Sequence, residues 1–189
     1  MENNCATIIL NWNGSSDTIA CIESMNKLQE ARTDLVIVDN ASSPEEYKIL
    51  EDYFENFVLC AEIPAMKMEN EVAFTSIKKF QKDNLFIYLI SAETNYGFSK
   101  SCNAGAYFAS FLKYDYVLFL NNDTEVEPDF LDTLLNDLEQ DTNLLSVIPQ
   151  IRYFYNKDII WNCGGTISKY GNRTYYYSCL LYTSDAADE

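Results

Sequence analysis

Residues 6–12 read ATIILNW, a short and nearly continuous apolar run. Runs of this kind are typical of strands that are buried on both faces of a parallel sheet. Runs of the same character recur at residues 35–38, 85–90 and 116–120, with a fifth candidate at 144–148. The sequence therefore predicts a sheet whose central strands are parallel.

Helical patterns separate these runs. Between the first two, Ser15 and Ser16 offer an N-cap, and apolar residues then recur at helical spacing. Ser43-Pro44, followed by two glutamates, is a second helix start that leads into residues 47–57. Further helices are predicted over residues 98–112 and 128–138. Strands that alternate with helices predict an α/β sheet with right-handed crossovers, and such sheets bind ligands beyond the carboxyl ends of their strands.

One segment inside this alternation has a different pattern. Residues 60–83 predict one amphipathic helix around Val72, Ile77 and Phe80. We find no group of chemically reactive side chains in it. The segment is therefore interpreted as a decoration of the surface.

Past Pro149 the alternation fails, and tyrosine-rich segments indicate irregular strands or a flap. We expect a single domain over residues 1–179. Residues 180–189 have no periodic partner and are interpreted as a chain that stops in mid-domain or as an appended, non-native tail.

The composition excludes several classes of function. With 13 basic and 29 acidic residues, the formal net charge of −16 repels nucleic acid and anionic membranes, and no basic patch offsets it. Histidine is absent and the six cysteines form no CxxC pair, which disfavours zinc sites and disulfide frameworks. No segment approaches the roughly 18 apolar residues of a membrane span. We expect reduced thiols and a cytoplasmic location, with peripheral attachment at the inner face of the membrane as an open alternative.

Three polar clusters directly follow predicted strands and would face one crevice. They are Asn11-Trp12-Asn13-Gly14, Asp39-Asn40-Ala41-Ser42 and Asn121-Asn122-Asp123-Thr124. For each cluster an ordinary turn is the alternative, since Asn, Asp and Gly are common where a strand ends. Together they indicate a diphosphate ligand, although the chain has neither a GxxxxGK[ST] loop nor a GxGxxG turn to bind phosphates.

A divalent cation is the stronger means of neutralising a diphosphate in this crevice. A helix N-terminus contributes about 0.3–1 kcal/mol, whereas opposite charges about 4 Å apart contribute about 4 kcal/mol at an effective dielectric of about 20. Mg²⁺ and Mn²⁺ take oxygen ligands, often one or two carboxylates with phosphate oxygens and water. Asp123, at the end of a predicted strand, is the candidate ligand.

Residues 6–131 contain four characteristic segments, in the order IILNWNG, DLVIVDNAS, NYGFSKSCNAG and YVLFLNNDTEVEPDFL. In this order they resemble the family 2 glycosyltransferases and in particular their rhamnosyltransferase-like branch. Residues 160–165 (IWNCGG) also resemble the family's segment between donor and acceptor regions. The resemblance implies a GT-A fold, a nucleoside-diphosphate-sugar donor, and inversion at the anomeric carbon by direct attack of an acceptor hydroxyl. It makes residues 1–179 the donor-binding half of such an enzyme.

The resemblance also implies roles for matched residues. Asp39 matches the acid that hydrogen-bonds the base or ribose, and Asp123 matches the last acid of the DxD motif, which meets metal and diphosphate. Asn121 departs from that motif at its first position. Asn103 has an alternative role as a buried helix residue with satisfied hydrogen bonds. The expected nucleotide-sugar contacts are Asn11, Asn13, Asp39, Asn95, Gly97, Phe98, Asn103, Asn121, Asn122 and Asp123.

The predicted activity is transfer from a UDP- or dTDP-sugar, with Mg²⁺ or Mn²⁺, to a saccharide or lipid-linked glycan in bacterial-type cell-surface polysaccharide synthesis. The family needs a general base in a later segment, and we find no counterpart, so we expect donor binding with poor or no transfer. Two alternatives stay open, a non-catalytic nucleotide-sugar-binding module and a sugar nucleotidyltransferase. The latter expects a glycine-rich, basic loop after the first strand, which the sequence NWNGS does not supply.

Overall fold

The computed structural model describes residues 5–29, 32–68, 71–83 and 85–175. The chain divides into two compact units, Met1–Asp129 and Phe130–Glu189. In chain order, the first unit contains β1 (Cys5–Asn11), α1 (Ser15–Met25), β2 (Asp34–Asp39), α2 (Pro44–Phe54), β3 (Val58–Ile63), β4 (Met66–Lys67), β5 (Ala73–Lys82), β6 (Leu85–Ala92), α3 (Phe98–Phe111) and β7 (Tyr116–Asn121). The second contains α4 (Phe130–Gln140), β8 (Ile151–Tyr153), β9 (Asn156–Asn162), β10 (Gly165–Ile167) and β11 (Arg173–Tyr175).

The strands of the first unit form one sheet, in which the described residues supply seven strands. β6, β2, β1 and β7 are neighbours in this order and run parallel. β5 runs antiparallel to β6 and pairs on its other side with β3 and β4. The four parallel strands coincide with the predicted apolar runs. The predicted class is confirmed as a mixed α/β fold with a mostly parallel central sheet flanked by helices.

Helices cover both faces of β6, β2 and β1, which explains why the middle of these strands is apolar, whereas Val117 and Phe119 of β7 are exposed. α3 lies on one face and approaches closely at Gly105, where a Cβ would be 2.7 Å from Cγ2 of Ile8 and 3.1 Å from Cγ2 of Val38. α1 and α2 lie on the opposite face, to which the side chains of Asn11 and Asp39 belong. The polar ends of β1 and β2 therefore lie under the α1–α2 layer.

The prediction of one helix over residues 60–83 is wrong, because this segment forms β3, β4 and β5. β5 is buried on both faces. Ile77 belongs to the core on the α3 side, whereas Phe80 stacks on Phe54 of α2 with 4.9 Å between ring centroids. A bulge next to Phe74 further interrupts the alternation that marks a strand. The spacing of the apolar residues in this strand, which has buried side chains on both faces and a bulge, therefore resembles the spacing expected in a helix.

The starts of the first two helices differ in how they are capped. The expected serine cap of α1 is wrong, because Gly14 is the N-cap and makes no side-chain cap bond. Ser15 instead donates from its backbone N–H to Oε2 of Glu46 at 3.2 Å and from its hydroxyl to the Glu46 carbonyl at 2.7 Å. At α2 the predicted start is confirmed, since the backbone N–H of Glu46 donates to Oγ of the N-cap Ser43.

The second unit contains two short antiparallel hairpins, β8–β9 and β10–β11, where irregular strands were expected. The fifth candidate strand, at residues 144–148, is wrong, since no strand forms there and Leu145 is 98% exposed. The predicted tail at 180–189 lies outside the described residues. Within the part of the chain that the structure describes, no helix combines the length and the apolar character that a membrane crossing requires.

Candidate functional site

The three polar clusters predicted from the sequence lie together at the carboxyl edge of the parallel sheet. β1 lies between β2 and β7, and the strand register places Asn11 beside Asp39 and Leu10 beside Asn121. Because the carboxyl ends of neighbouring parallel strands share one edge, the loops that follow them surround a common space. The three clusters therefore share one edge of the sheet, as predicted, and this edge lies within the first unit.

Asp39 is almost fully buried at this edge, and Asn11 holds it in place. Nδ2 of Asn11 donates to Oδ1 of Asp39 at 2.8 Å and to the Ser42 hydroxyl at 3.2 Å, while Oδ1 of Asn11 accepts from the Thr18 hydroxyl at 2.9 Å. The second Asp39 oxygen accepts from the backbone N–H of Ser42 at 3.1 Å. Since Asn11 is 0% exposed, it fixes the Asp39 carboxylate and presents no atom to solvent.

Asn13 joins the loop after β1 to the loop after β2. Its φ of 52° lies in the left-handed region, which asparagine tolerates better than most residues. Oδ1 of Asn13 accepts from the backbone N–H of Ser43 at 2.8 Å. The backbone N–H of Asn13 donates to the Ser42 hydroxyl at 2.9 Å. The neighbouring Trp12 is 58% exposed. This aromatic surface was not among the predicted contacts, although it stands inside one of the polar clusters.

Asn122 connects the loop after β7 to the start of α1. Its Nδ2 donates to the Gly14 carbonyl at 3.3 Å and to the Thr18 hydroxyl at 3.1 Å. A Cβ at position 14 would lie 2.9 Å from this nitrogen, so a larger residue there would displace the Asn122 amide. The Asn122 amide is thus hydrogen-bonded to other residues of the chain, and it borders the shared edge on the β7 side.

Asp123 is exposed in the turn that follows β7. The hydroxyl and the backbone N–H of Thr124 close this turn on the Asn121 carbonyl, at 2.6 and 3.3 Å. Burial raises the pKa of the nearby Cys21 thiol to about 12, and the negative charges of Asp123 and Glu125 act in the same direction. Cys21 is therefore a neutral thiol at physiological pH, and Asp123 supplies the exposed negative charge.

The surroundings of Asp123 fit a cation that is shared with a ligand. Among the described residues, no group of three or more His, Cys, Asp or Glu side chains lies close enough together to hold a metal ion. Mg²⁺ is commonly bound by one or two carboxylates together with substrate phosphates and water. Asp123 is compatible with this kind of site, in which a bound diphosphate supplies the other ligands.

The loop between β6 and α3 reaches the same edge. Asn95 is exposed, and its Oδ1 accepts from Nδ2 of Asn40 at 2.9 Å and from the backbone N–H of Gly97 at 2.8 Å. Gly97 has a φ of 78°, which favours glycine, and it caps α3 without a side-chain bond. Phe98, the first residue of α3, is 61% exposed. The structure therefore brings three of the predicted contacts together on this loop.

Asn103 lies further along α3 and is exposed. The alternative of a buried, satisfied residue is wrong, since its side chain has no hydrogen-bond partner within the described ranges. Two buried residues of the site were not predicted from the sequence: Thr18, which bonds to Asn11, and Asn40, which bonds to Asn95. Asn40 stood in a polar cluster, but its partners lie on a distant segment.

The sheet and the polar loops at its carboxyl edge define an α/β domain of the class whose members bind ligands at the strand ends. Residues 75–186, more than half of the chain, match the family model described as Glycosyl transferase family 2, and the chain belongs to this family. The matched range includes the loop at 95–98 and the cluster at 121–124. Asn11, Asn13 and Asp39 precede it.

Similar proteins are longer than this chain. An uncharacterized protein of Methanocaldococcus jannaschii is 27% identical over 133 residues, covering 70% of this chain and 46% of that protein. Among solved structures, S. aureus TarS 1-349 in complex with UDP-GlcNAc is 19% identical, with a TM-score of 0.48 over 72% of this chain and 31% of that chain. A second structure of TarS 1-349 is 16% identical, with a TM-score of 0.48 over 96% and 49%. The chain spans less than half of each.

Proposed function

We propose that this chain is the donor-binding part of an inverting glycosyltransferase that takes its sugar from a UDP- or dTDP-sugar. The observation that carries the proposal is the placement of two different carboxylates at one edge of the sheet. Asp39 is buried and fixed by Asn11, whereas Asp123 is exposed in the turn after β7. The first suits a hydrogen-bonding base, and the second suits a charged diphosphate with its cation.

Asp39 is proposed to bind the nucleoside. A carboxylate has about four lone-pair positions, and the described residues occupy two of those on Asp39. A remaining position can accept the imide N–H of uracil or thymine. The exposed Trp12 ring offers a face on which a base can stack, and such stacking contributes about 1–3 kcal/mol per base.

Asp123 and the loop at 95–98 are proposed to hold the diphosphate. A bound Mg²⁺ or Mn²⁺ would neutralise the charge that develops on the leaving diphosphate. Asp123 would ligate that ion, and Asn121, at the end of β7, would contact the ribose. The start of α3, which Gly97 leaves without a side-chain cap, adds about 0.3–1 kcal/mol for a nearby anion.

The acceptor is proposed to be a saccharide or a lipid-linked glycan of cell-surface polysaccharide synthesis, reached from the cytoplasm. Inversion requires its hydroxyl to attack the anomeric carbon opposite the diphosphate while a base takes the proton. We assign binding and not proton abstraction to Asp39 and Asp123, because the first accepts two hydrogen bonds and the second is proposed for the cation. The rhamnosyltransferase-like segments favour rhamnose as the transferred sugar.

The proposal is tested by titrating UDP and dTDP into the chain with and without Mn²⁺. We expect Mn²⁺-dependent binding, and Asp123→Asn to weaken it by at least about tenfold, which corresponds to about 1.4 kcal/mol. Asp115→Asn is the matched control, because Asp115 is an equally exposed carboxylate directly before β7, at the opposite edge of the sheet. The control should bind like the unmodified chain.

Two results would contradict the donor site. One is the absence of binding by either nucleotide to the folded chain. The other is an equal effect of Asp123→Asn and Asp115→Asn, since a non-specific loss of negative charge would then explain both. Circular dichroism of each variant confirms that the compared chains are folded.

A further inference from the structure

Asn40 joins the end of β2 to the loop that precedes α3. It directly follows Asp39 and is 2% exposed. Its Nδ2 donates to Oδ1 of Asn95 at 2.9 Å, and its Oδ1 accepts from the backbone N–H of Tyr96 at 3.0 Å. Oδ1 also accepts from the Ser101 hydroxyl on α3 at 2.7 Å. One buried side chain thus ties two loops and a helix together at the crevice.

The amide group supplies a donor and an acceptor at the same time, and both are used. Asn95 in turn accepts from the Gly97 N–H, so the bonds of Asn40 lead to the residue at which α3 begins. An aspartate of the same shape at position 40 would keep the acceptor oxygen for Tyr96 but would lose the donor. It would also place a carboxylate oxygen against Oδ1 of Asn95, and a buried polar atom without a partner is unfavourable.

We propose that Asn40 is a positioning residue that couples nucleoside binding at Asp39 to the conformation of the loop at 95–97. This inference rests on the proposed function, because the loop is proposed to lie along the diphosphate. Asn95 and Gly97 are exposed, and the bonds from Asn40 hold their loop against the adjacent end of β2. A nucleotide that fixes the end of β2 will therefore also order the loop.

A purely structural role for Asn40 makes a different prediction. The opposite end of β2 offers the comparison, because Asp34 is equally buried there and accepts from the Tyr114 hydroxyl. Removing that hydroxyl in Tyr114→Phe disturbs a buried polar group of the same sheet far from the crevice. If Asn40 contributes to stability alone, Asn40→Asp and Tyr114→Phe will have the same effect on the UDP affinity per folded molecule and on amide exchange.

The test combines UDP titration with amide hydrogen exchange measured by NMR in Mg²⁺. In the unmodified chain, saturating UDP should slow exchange of the Tyr96 and Gly97 amides by at least about tenfold. In Asn40→Asp, the UDP affinity should fall by about tenfold, and UDP at saturation should no longer slow exchange at Gly97. Tyr114→Phe should lower the stability but keep the UDP affinity and the slowing at both amides.

The outcomes separate this inference from the proposed function. If UDP does not bind the unmodified chain, the proposed function fails. If UDP binds and Asn40→Asp retains the affinity and the slowing at Gly97, the coupling role of Asn40 alone is overturned. It is also overturned if Tyr114→Phe loses as much affinity per folded molecule as Asn40→Asp.

A second variant covers the case in which Asn40→Asp does not fold. Ser101→Ala removes one of the bonds to Oδ1 of Asn40 and leaves both bonds to the loop in place. Alanine is favourable in a helix, so this variant should fold. We expect an approximately threefold loss of UDP affinity, roughly half the free-energy effect of Asn40→Asp. An unchanged affinity in Ser101→Ala would overturn the coupling.

Discussion

β2 begins with Asp34 and ends with Asp39, and each of these aspartates is 3% exposed. At the amino end, Asp34 accepts from the backbone N–H of Phe86 at 2.8 Å and from the Tyr114 hydroxyl. At the carboxyl end, Asp39 accepts from the Asn11 amide and from the Ser42 N–H. The two carboxylates therefore match in burial, and they differ in the residues that surround them.

The residues around Asp34 bond to this carboxylate across the amino-terminal edge of the sheet, whereas several residues at the Asp39 edge are exposed to solvent. The bonds of Asp34 tie the start of β6 and the segment before β7 to β2. At the same edge of the sheet as Asp39, the side chains of Trp12, Asn13 and Asp123 are exposed. The comparison shows that the burial of a carboxylate does not by itself indicate ligand binding, and that the adjacent exposed groups have to be considered as well.

The largest expected effect belongs to Asp34→Ala. This change leaves the Tyr114 hydroxyl and the Phe86 N–H without their acceptor, which should lower the free energy of unfolding by about 2–4 kcal/mol. The UDP affinity per folded molecule should stay the same. Urea unfolding and titration at a temperature where the variant is folded measure the two quantities. If the Asp34→Ala chain were stable but bound UDP more weakly, the structural role of Asp34 would be contradicted and the ligand would have to be assigned to the Asp34 end of β2.

Asp39→Asn should have a small effect on the free energy of unfolding and a large effect on the UDP affinity, the opposite of Asp34→Ala. The amide keeps the shape of the carboxylate, but its NH₂ group faces a donor, either Nδ2 of Asn11 or the Ser42 N–H. We expect about 1 kcal/mol of lost stability and a loss of UDP affinity of about tenfold. The same two measurements apply. Full UDP affinity in Asp39→Asn would remove the nucleoside role from this carboxylate.

The sequence was sufficient to predict the parallel strands and the polar loops at their carboxyl ends, because their signals are local. A continuous apolar run marks a strand buried on both faces, and Asn, Asp and Gly mark the loop after it. The same reasoning failed for β5, where Ile77 and Phe80 are buried on opposite faces and a bulge interrupts the alternation. A strand added antiparallel to a parallel sheet gave no distinct local pattern.

The internal bonds of the site were beyond local reasoning. Asn40 and Asn95 are 55 positions apart, and Asp34 and Tyr114 are 80 positions apart. Nothing near either residue in the sequence indicates its partner. Asn11 was grouped with the ligand contacts because it stands in a polar loop, yet the structure buries it between Asp39 and Thr18. Its contribution to binding is therefore expected to act through Asp39.

The smallest expected effect is the pH dependence of stability that arises from Tyr114, the partner of Asp34. Burial raises the pKa of Tyr114 well above its ordinary value, and the hydrogen bond to Asp34 and its negative charge raise it further. Above pH 10 the unfolded tyrosine loses its proton while the folded one keeps it, so the unfolded state binds fewer protons. Stability then decreases as the pH rises.

Phenylalanine at position 114 has no such dependence. The difference in unfolding free energy between the unmodified chain and Tyr114→Phe should therefore shrink between about pH 9 and pH 11. Tyr53, whose pKa is also raised by burial and by its bond to Glu23, is present in both chains and cancels in this difference. Urea unfolding at several pH values gives the measurement. A difference that is constant across this range would mean that the fold does not raise the pKa of Tyr114.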